Sequence, residues 1–255
     1  MISQDIITSM HLSVCALGVR LVDQKQHMRE PTAPHFQIIG TGFALDDNLV
    51  LTNRHVLEAM RRHIEINGYD HGDLTAQFIT PKVDGWSVHF CCIGDVGLCA
   101  TPDEDVGLIQ LPGLRELGSR AVKLGTPSKL KIGQALGLLG YADGERLQQV
   151  NQGEVFNEEL YRFGPILQQG YLSAIEPMHG CGVVNRLLLD IRTTGGLSGS
   201  PVFSLETGDV FGVHFASNKT TTAFAMPLDA NRVTAYRKNF YESLAQWTSS
   251  TQTSS

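Results

Sequence analysis

Thr193-Thr194-Gly195-Gly196-Leu197-Ser198-Gly199-Ser200-Pro201 is the stretch that decides the fold. It places a serine between glycines, with a proline soon after, as a serine nucleophile on a tight turn requires. Glycine lets the backbone approach a bound carbonyl closely and adopt φ angles that a β-carbon disfavours. The amides of Gly196 and Ser198 would then form an oxyanion hole. Without a histidine and a carboxylate elsewhere in the chain, the stretch would be an ordinary glycine- and serine-rich turn.

A histidine follows an apolar strand in the N-terminal half of the chain. The segments Gly40–Leu45 and Leu49–Thr52 are typical of a β-hairpin, and its second strand leads to His55, where a short helix begins. A lone histidine at such a place is more often structural. The histidines interpreted in that way are His63, His71, His89 and His179.

An aspartate stands directly before another apolar strand. Asp105 precedes Val106–Gln110, so its carboxylate is expected at the start of that strand, pointing inward. The two acidic residues before it fit a solvated turn better. A serine hydroxyl becomes a good nucleophile when a neutral imidazole accepts its proton, and a carboxylate fixes the tautomer of that imidazole. The order His55, Asp105, Ser198 therefore predicts a triad in a cleft between two β units.

Short apolar segments separated by Gly, Pro, Asn and Asp clusters recur along the chain, as is typical of an all-β protein. The first series of predicted strands is His11–Val22, Phe36–Leu45, Leu49–Thr52, Leu74–Ile79, Ser87–Ile93 and Val106–Gln110. After a break near 113–123, the second series is Ala135–Tyr141, Glu145–Phe156, Ile166–Ala174, Leu187–Ile191, Val202–Ser204, Val210–Phe215 and Thr222–Pro227.

Two helices interrupt the predicted strands. The first is brief and covers His55–His63. The second is C-terminal, with Asp229 or Asn231 as its cap and an apolar stripe at steps of three and four residues. The stripe is Val233, Tyr236, Phe240, Leu244 and Trp247. We therefore expect four regions: a first β unit at 11–118, a second at 119–232, the helix at 233–248 and a disordered tail at 249–255.

The composition excludes several classes of protein. The chain has 255 residues, of which 42% are hydrophobic and 18% charged, and its net charge of −6 gives no basic field for nucleic acid. No apolar run is long enough to span a membrane. The N-terminus carries no lysine or arginine before Arg20, and polar residues interrupt its apolar segment, so we expect no secretory signal and a cytoplasmic location.

The cysteines favour a reducing compartment. They are odd in number and irregularly spaced, at Cys15, Cys91, Cys92, Cys99 and Cys181. A zinc site from the middle three is disfavoured, because their spacing matches no common zinc site. Buried structural thiols are the favoured interpretation, and neither a metal nor a cofactor is expected.

The three motifs resemble those of the chymotrypsin-like (trypsin-like) serine peptidases, in the same order and at similar separations. Leu51-Thr52-Asn53-Arg54-His55-Val56 is similar to the family's Leu-Thr-Ala-Ala-His, and Asp105-Val106-Gly107-Leu108 is similar to its Asp-Ile-Ala-Leu. The resemblance covers about 11–248. It implies two six-stranded antiparallel Greek-key β-barrels with a C-terminal helix. It also implies His55, Asp105 and Ser198 as catalytic residues and the Gly196 and Ser198 amides as the oxyanion hole.

The chain departs from the family pattern at two places. Asn53 and Arg54 replace small residues before the histidine. Leu197 stands where animal digestive members carry an aspartate, which pairs with a new N-terminus after zymogen cleavage. Leucine cannot form that ion pair, so we do not expect that route of activation.

The stretches Thr193-Thr194-Gly195-Gly196 and Val210-Phe211-Gly212-Val213-His214 most resemble the bacterial glutamyl endopeptidases. In those enzymes a threonine and a histidine at these positions bind an acidic side chain. Those roles fall on Thr193 and His214. Hydrogen-bond donors in a half-buried pocket suit a carboxylate or a carboxamide. Arg192 lies six residues before the nucleophile, where it would repel basic substrates and attract acidic ones. We expect a preference for Glu, Asp or Gln before the scissile bond, with small or apolar residues as the alternative.

The sequence is compatible with three functions. The favoured one is a bacterial, intracellular serine endopeptidase that acts on a protein or peptide substrate, with a regulatory protein partner left open. The second is a trypsin-like barrel with weak catalysis that acts as a binding or regulatory module in a stress or defence system. The third is an esterase, although the chain lacks the strand–helix alternation of an α/β-hydrolase.

Overall fold

The fold is described from a computed structural model. It describes residues 3–21, 35–67, 74–82, 85–93, 96–98, 104–142, 147–151, 154–160, 164–178, 181–218 and 222–252. Strands dominate these ranges, and helices lie near both ends and after the third strand. The all-β fold class with a C-terminal helix is confirmed.

The N-terminal half forms a seven-stranded antiparallel sheet in the order β5-β4-β1-β2-β3-β7-β6. Its strands are β1 Val14–Leu21, β2 His35–Ala44, β3 Leu49–Thr52, β4 Leu74–Lys82, β5 Gly85–Cys92, β6 Val96–Leu98 and β7 Gly107–Gln110. The sequence predicted six strands here. The additional strand is β6, a run of three residues that is too short to show an alternating pattern.

The C-terminal half closes into a six-stranded barrel in the order β11-β12-β15-β14-β13-β8. Its strands are β8 Ala135–Gly140, β11 Ile166–Glu176, β12 Arg186–Asp190, β13 Pro201–Ser204, β14 Val210–Ser217 and β15 Thr222–Pro227. A short 3-10 helix, Pro127–Lys129, precedes the barrel. Because the ladder returns from β8 to β11, this barrel leaves no free sheet edge.

The predicted strand Glu145–Phe156 is instead a separate two-stranded hairpin. It consists of β9 Leu147–Asn151 and β10 Glu154–Leu160, and Asn151 pairs with Glu154. Two residues, Gln152 and Gly153, stand between the paired ends in the sequence, which is the spacing of a tight hairpin. The single predicted strand was wrong because its polar Asn-Gln-Gly stretch is a turn signal.

The N-terminal segment also corrects a prediction. The strand expected over His11–Val22 is preceded by a helix, α1 Gln4–Ser13, so β1 begins only at Val14. The Ser3 side chain accepts a hydrogen bond from the Asp5 amide at 3.2 Å, which caps the helix N-terminus. The run of apolar residues across this boundary concealed the change from helical to strand periodicity.

The two predicted helices are present and longer than predicted. The helix α2 covers Arg54–Asn67, and the helix α3 covers Ala230–Gln252. Of the two cap candidates, Asp229 accepts a hydrogen bond from the Arg232 amide at 2.9 Å. Because α3 continues through Gln252, most of the predicted disordered tail is helical, and 253–255 lie outside the described residues.

Three buried apolar clusters form the core. One lies within the N-terminal sheet and one within the barrel. The third joins both halves and the helix α3, with buried members that include Phe43 from β2, Phe203 from β13 and Phe240 from α3. The shared cluster keeps the two halves and the helix packed against one another, which positions a site between them.

Replacing Phe203 by alanine tests the shared cluster. The ring is fully buried and packs beside Gly137, so its loss should lower the free energy of unfolding by about 3–5 kcal/mol. Urea unfolding followed by fluorescence measures the change. The control is Ile132→Ala, because Ile132 is 65% exposed and should change stability by less than about 0.5 kcal/mol. Equal effects of the two substitutions would contradict this assignment of the core.

Candidate active site

His55 and Asp105 are held together by two hydrogen bonds. The Nδ1 atom of His55 lies 2.6 Å from Oδ2 of Asp105, and the backbone amide of His55 donates to Oδ1 at 2.9 Å. Since a carboxylate only accepts, Nδ1 carries the proton and Nε2 of neutral His55 carries the lone pair. The His55 side chain is 45% exposed, so this lone pair belongs to an accessible imidazole at the start of α2.

The surroundings of Asp105 keep it ionised. Burial raises the pKa of its carboxyl group, but the hydrogen bonds from the side chain and backbone of His55 and the charges of His55 and Arg54 outweigh burial. The net result is a pKa below the ordinary value. A carboxylate with this environment is negatively charged at neutral pH and can stabilise a protonated imidazole.

The two residues that depart from the family pattern, Asn53 and Arg54, hold the segment that carries Asp105. The Nδ2 atom of Asn53 donates to the carbonyl oxygen of Asp105 at 2.9 Å. The guanidinium of Arg54 donates to the carbonyl oxygen of Glu104. Together with His55, these residues bind two consecutive residues of the acidic segment. These substitutions therefore add hydrogen bonds to the backbone of the segment that carries the Asp105 carboxylate.

The Ser198 loop is a tight turn built on glycines with positive φ. Gly196 and Gly199 have φ of 81° and 87°. The amide of Ser200 donates to the carbonyl oxygen of Leu197 at 3.1 Å, which closes the turn. A Cβ on Gly199 would overlap the carbonyl oxygen of Thr41, so no larger residue fits there.

Backbone contacts place Ser198 close to the segment that contains His55 and Val56. The Ser198 carbonyl accepts a hydrogen bond from the Thr41 amide at 2.8 Å. A Cβ on Gly40 would lie 2.6 Å from Val56 Cγ1 and 3.1 Å from the Ser198 carbonyl oxygen, so both groups border Gly40. Within the described residues, no hydrogen bond joins Ser198 Oγ to His55. Such bonds are often long in unliganded sites.

The amides of Gly196 and Ser198 donate no hydrogen bond within the described part of the chain, whereas their carbonyl oxygens are both bonded to Thr41. Gly196 is buried and Ser198 is half-buried. Backbone donors without a protein acceptor are uncommon in a folded chain, and a ligand oxygen can satisfy them. The two amides remain a predicted oxyanion hole.

Leu197 is completely buried and belongs to the apolar cluster inside the barrel. Its side chain thus anchors the middle of the Ser198 loop by burial of apolar surface. The position at which digestive members of the family carry a charge is filled here by a core residue.

The three predicted pocket residues differ in burial. Arg192 is exposed and Thr193 is half-buried, but the Oγ1 atom of Thr193 is buried with no hydrogen-bond partner among the described residues. His214 is 3% exposed, and its Nδ1 lies 3.1 Å from the Phe224 carbonyl oxygen, so Nδ1 is the donor. Burial, which outweighs this hydrogen bond, lowers the pKa of His214 to about 4, with a small further lowering from His55.

The backbone of His214 also contacts the Ser198 loop. Its carbonyl oxygen accepts from the Gly199 amide at 2.8 Å, and its amide donates to the Ser200 carbonyl at 2.9 Å. These bonds place β14 directly beside the turn that follows Ser198. The predicted pocket histidine and the predicted nucleophile therefore belong to one hydrogen-bonded unit.

Sequence reasoning missed two contributors to this region. Thr41 bonds to the Ser198 loop, and the sequence marks it only as a threonine between two glycines. Arg232, at the start of α3, lies 3.7 Å from Glu104 and donates to the Val184 carbonyl at 2.8 Å. No local pattern in the sequence predicts either contact, because both depend on packing between distant segments.

The remaining cysteines and histidines form no second site in the ranges that the structure describes. Cys15, Cys91, Cys92 and Cys181 are free thiols, and Cys99 lies outside these ranges. No group of three or more described His, Cys, Asp or Glu side chains has the geometry to hold a metal ion. In the same ranges, no helix has the length and apolarity needed to cross a membrane.

Solved structures with similar folds include Deg5, with 20% identity and a TM-score of 0.54 over 88% of this chain and 87% of that chain. The inactive form of Rv3671c from M. tuberculosis, a serine-to-alanine variant, matches with 16% identity and a TM-score of 0.53 over 94% and 92%. The HtrA-type protease AlgW with a decapeptide matches with 14% identity and a TM-score of 0.53 over 88% and 62%. These similarities concern the fold.

No curated protein sequence matched the chain. The family profile of the trypsin-like peptidase domain matches residues 40–213, which include the strand before His55, the Asp105 segment and the Ser198 loop. This range covers more than half of the sequence. The chain therefore belongs to the trypsin-like peptidase family.

Proposed function

We propose that this chain is a serine endopeptidase that hydrolyses protein or peptide substrates through an acyl-enzyme at Ser198. The observation that carries the proposal is the pair of hydrogen bonds between His55 and Asp105, with Nδ1 of His55 2.6 Å from the carboxylate. They fix the tautomer in which Nε2 accepts a proton. They also keep a negative charge beside the imidazole that becomes positive in the reaction.

The proposed reaction has two stages. Nε2 of His55 accepts the hydroxyl proton of Ser198 as Oγ attacks the scissile carbonyl carbon, and the amides of Gly196 and Ser198 stabilise the oxyanion. When the C–N bond breaks, protonated His55 gives its proton to the leaving amine. In the second stage, His55 deprotonates a water molecule as that water attacks the acyl carbon, and His55 then returns the proton to Oγ of Ser198 as the ester bond breaks. Asp105 stays ionised throughout, in keeping with its lowered pKa.

For specificity, we infer that His214 and Thr193 bind the side chain before the scissile bond. With Nδ1–H bonded to the Phe224 carbonyl and a pKa of about 4, His214 is neutral at pH 7 and offers a lone pair at Nε2. A glutamine carboxamide can donate to this lone pair, while the unpartnered hydroxyl of Thr193 can donate to its oxygen. A glutamate carboxylate would need His214 to be protonated. These features support glutamine over glutamate at neutral pH.

Replacing the nucleophile tests the reaction. Ser198→Ala should abolish labelling by a fluorophosphonate probe, because the probe forms a covalent bond with an activated serine oxygen. In-gel fluorescence of the purified protein measures the labelling. The control is Ser173→Ala, since Ser173 is exposed on β11. Labelling that survives Ser198→Ala would overturn the proposal, and a wild type that never labels would favour the binding-module alternative.

Asp105→Asn tests the role of the carboxylate. The amide side chain can donate to Nδ1 of His55 and so favours the wrong tautomer, which should lower kcat by about 10⁴-fold. Hydrolysis of p-nitrophenyl acetate measures this, with circular dichroism to verify folding. Asp190→Asn is the matched control, because Asp190 is exposed at the end of β12. If Asp105→Asn retained wild-type kcat, Asp105 would not be the orienting acid.

The pH dependence of specificity tests the pocket. For two peptides that differ only in Gln or Glu before the cleaved bond, the Gln peptide should have the higher kcat/KM at pH 7.5. The ratio of Glu to Gln should rise as the pH falls toward 5, because protonation converts Nε2 of His214 from acceptor to donor. Any pH effect on the shared catalytic step acts on both peptides alike and cancels in the ratio.

His214→Gln supplies the matched variant for this measurement, because it keeps a polar side chain without a titrating group. Its Glu-to-Gln ratio should depend on pH much less than that of the wild type. A preference for Lys or Arg would refute the pocket assignment, and so would a wild-type ratio that is independent of pH.

A further inference from the structure

Thr41, on β2, makes hydrogen bonds with four different residues. Its amide donates to the Ser198 carbonyl at 2.8 Å, and its hydroxyl Oγ1 donates to the Gly196 carbonyl at 2.9 Å. The same Oγ1 accepts from the Tyr141 amide at 2.9 Å, and the Thr41 carbonyl accepts from Thr52 Oγ1 at 2.6 Å. Thr41 is completely buried, so water does not compete for these bonds.

The direction of the hydroxyl bond follows from its two partners. A backbone amide such as that of Tyr141 can only donate, so it uses a lone pair of Oγ1. A carbonyl such as that of Gly196 can only accept, so the hydroxyl proton points toward it. The Thr41 hydroxyl therefore has one orientation. It donates its single proton to the carbonyl of Gly196, whose own amide is a predicted oxyanion donor.

The two residues that Thr41 binds through their carbonyls are Gly196 and Ser198, the same two that supply the predicted oxyanion hole. Gly196 lacks a β-carbon and has φ of 81°, so its own backbone restricts it little. Each carbonyl belongs to the peptide group that follows its residue, so the bonds from Thr41 hold the groups 196–197 and 198–199. These two groups flank the one that carries the Ser198 amide, and the first also adjoins the one that carries the Gly196 amide. We propose that Thr41 is a positioning residue that sets the oxyanion hole through its hydroxyl; this inference rests on the proposed function.

The backbone of Gly140 packs closely against the Thr41 hydroxyl. A Cβ on Gly140 would lie 2.8 Å from Thr41 Oγ1 and would overlap the hydroxyl of Ser200. The space on this side is thus closed by the backbone of Gly140. The side chain of valine has the shape of threonine and fits the same space, but it lacks the donor and the acceptor.

The test compares three variants of the full chain. Thr41→Val should lower the second-order rate of fluorophosphonate labelling and the kcat for p-nitrophenyl acetate by about tenfold or more, with little change in KM. That loss is smaller than the roughly 10²–10³-fold loss from deleting a donor, because both amides remain. Thr41→Ser retains the hydroxyl and should restore kcat to within about threefold of the wild type.

The third variant, Ser119→Ala, separates stability from catalysis. It removes a buried hydroxyl that donates to the Leu12 carbonyl at 3.0 Å, in a segment that makes no described contact with the Ser198 loop. It should lower the melting temperature without lowering the labelling rate. All rates are measured at a temperature at which each variant is folded by circular dichroism. If Thr41→Val fails to fold, Thr41→Ala replaces it, because alanine removes the hydroxyl without placing a methyl group against polar atoms.

The proposal is overturned if folded Thr41→Val, or folded Thr41→Ala, labels at the wild-type rate. It is also overturned if Thr41→Ser is as slow as Thr41→Val, because the hydroxyl would then not be the determining group. Failure of the proposed function has a different signature, since wild type and Ser198→Ala would then label equally. A loss confined to KM would indicate a change in the binding cleft instead of the oxyanion hole.

Discussion

Hydrogen bonds from the strand β2 to the Ser198 loop join the two halves of the chain at the site. Thr41 contributes its amide and its hydroxyl to this contact, and its carbonyl is held from the other side by Thr52. His55 follows the strand that carries Thr52 by three residues. The segment that presents the imidazole is therefore bonded to the same residue that holds the Ser198 loop.

At this junction, apolar burial and hydrogen bonding have different roles. The cluster that contains Phe43 and Phe203 holds the halves together, but apolar contact is non-directional and fixes no register. The hydrogen bonds of Thr41 and the pair formed by His55 and Asp105 depend on distance and angle. A reacting constellation needs both kinds of interaction, because small displacements of a catalytic group reduce its effect greatly.

The sequence predicted those parts of the site that have a local signature. His55, Asp105 and Ser198 each stand beside an apolar strand or a glycine turn, and twelve of the strands in the described residues each overlap a separate strand predicted from apolar segments and turn residues. The helix α1 and the short strand β6 carry too little pattern to be predicted. The sequence predicts the contact between His55 and Asp105, but it does not predict the hydrogen bonds from Thr41 to the Ser198 loop.

The reason for that difference is physical. A triad member must have a particular side-chain chemistry, which a sequence shows directly. A positioning residue needs only a hydroxyl or an amide at the right place, and both partners of the Thr41 hydroxyl are 100 residues or more away in the chain. The two departures at Asn53 and Arg54 illustrate the same point, since the sequence marks them as anomalies and only the fold shows that they bind the Asp105 segment.

The Ser198 loop also explains how a site of this kind can be formed without a charged anchor. An aspartate in the middle of the loop would have to be paired, because an unpaired buried charge is strongly unfavourable. Leu197 instead anchors the loop by burial in the barrel core, which requires no ion-pair partner and no titrating group. The loop is therefore ordered by the folding of the barrel itself. Under the proposed function, selection of the substrate side chain is made at the pocket, where burial lowers the pKa of His214 to about 4 and keeps it neutral at pH 7.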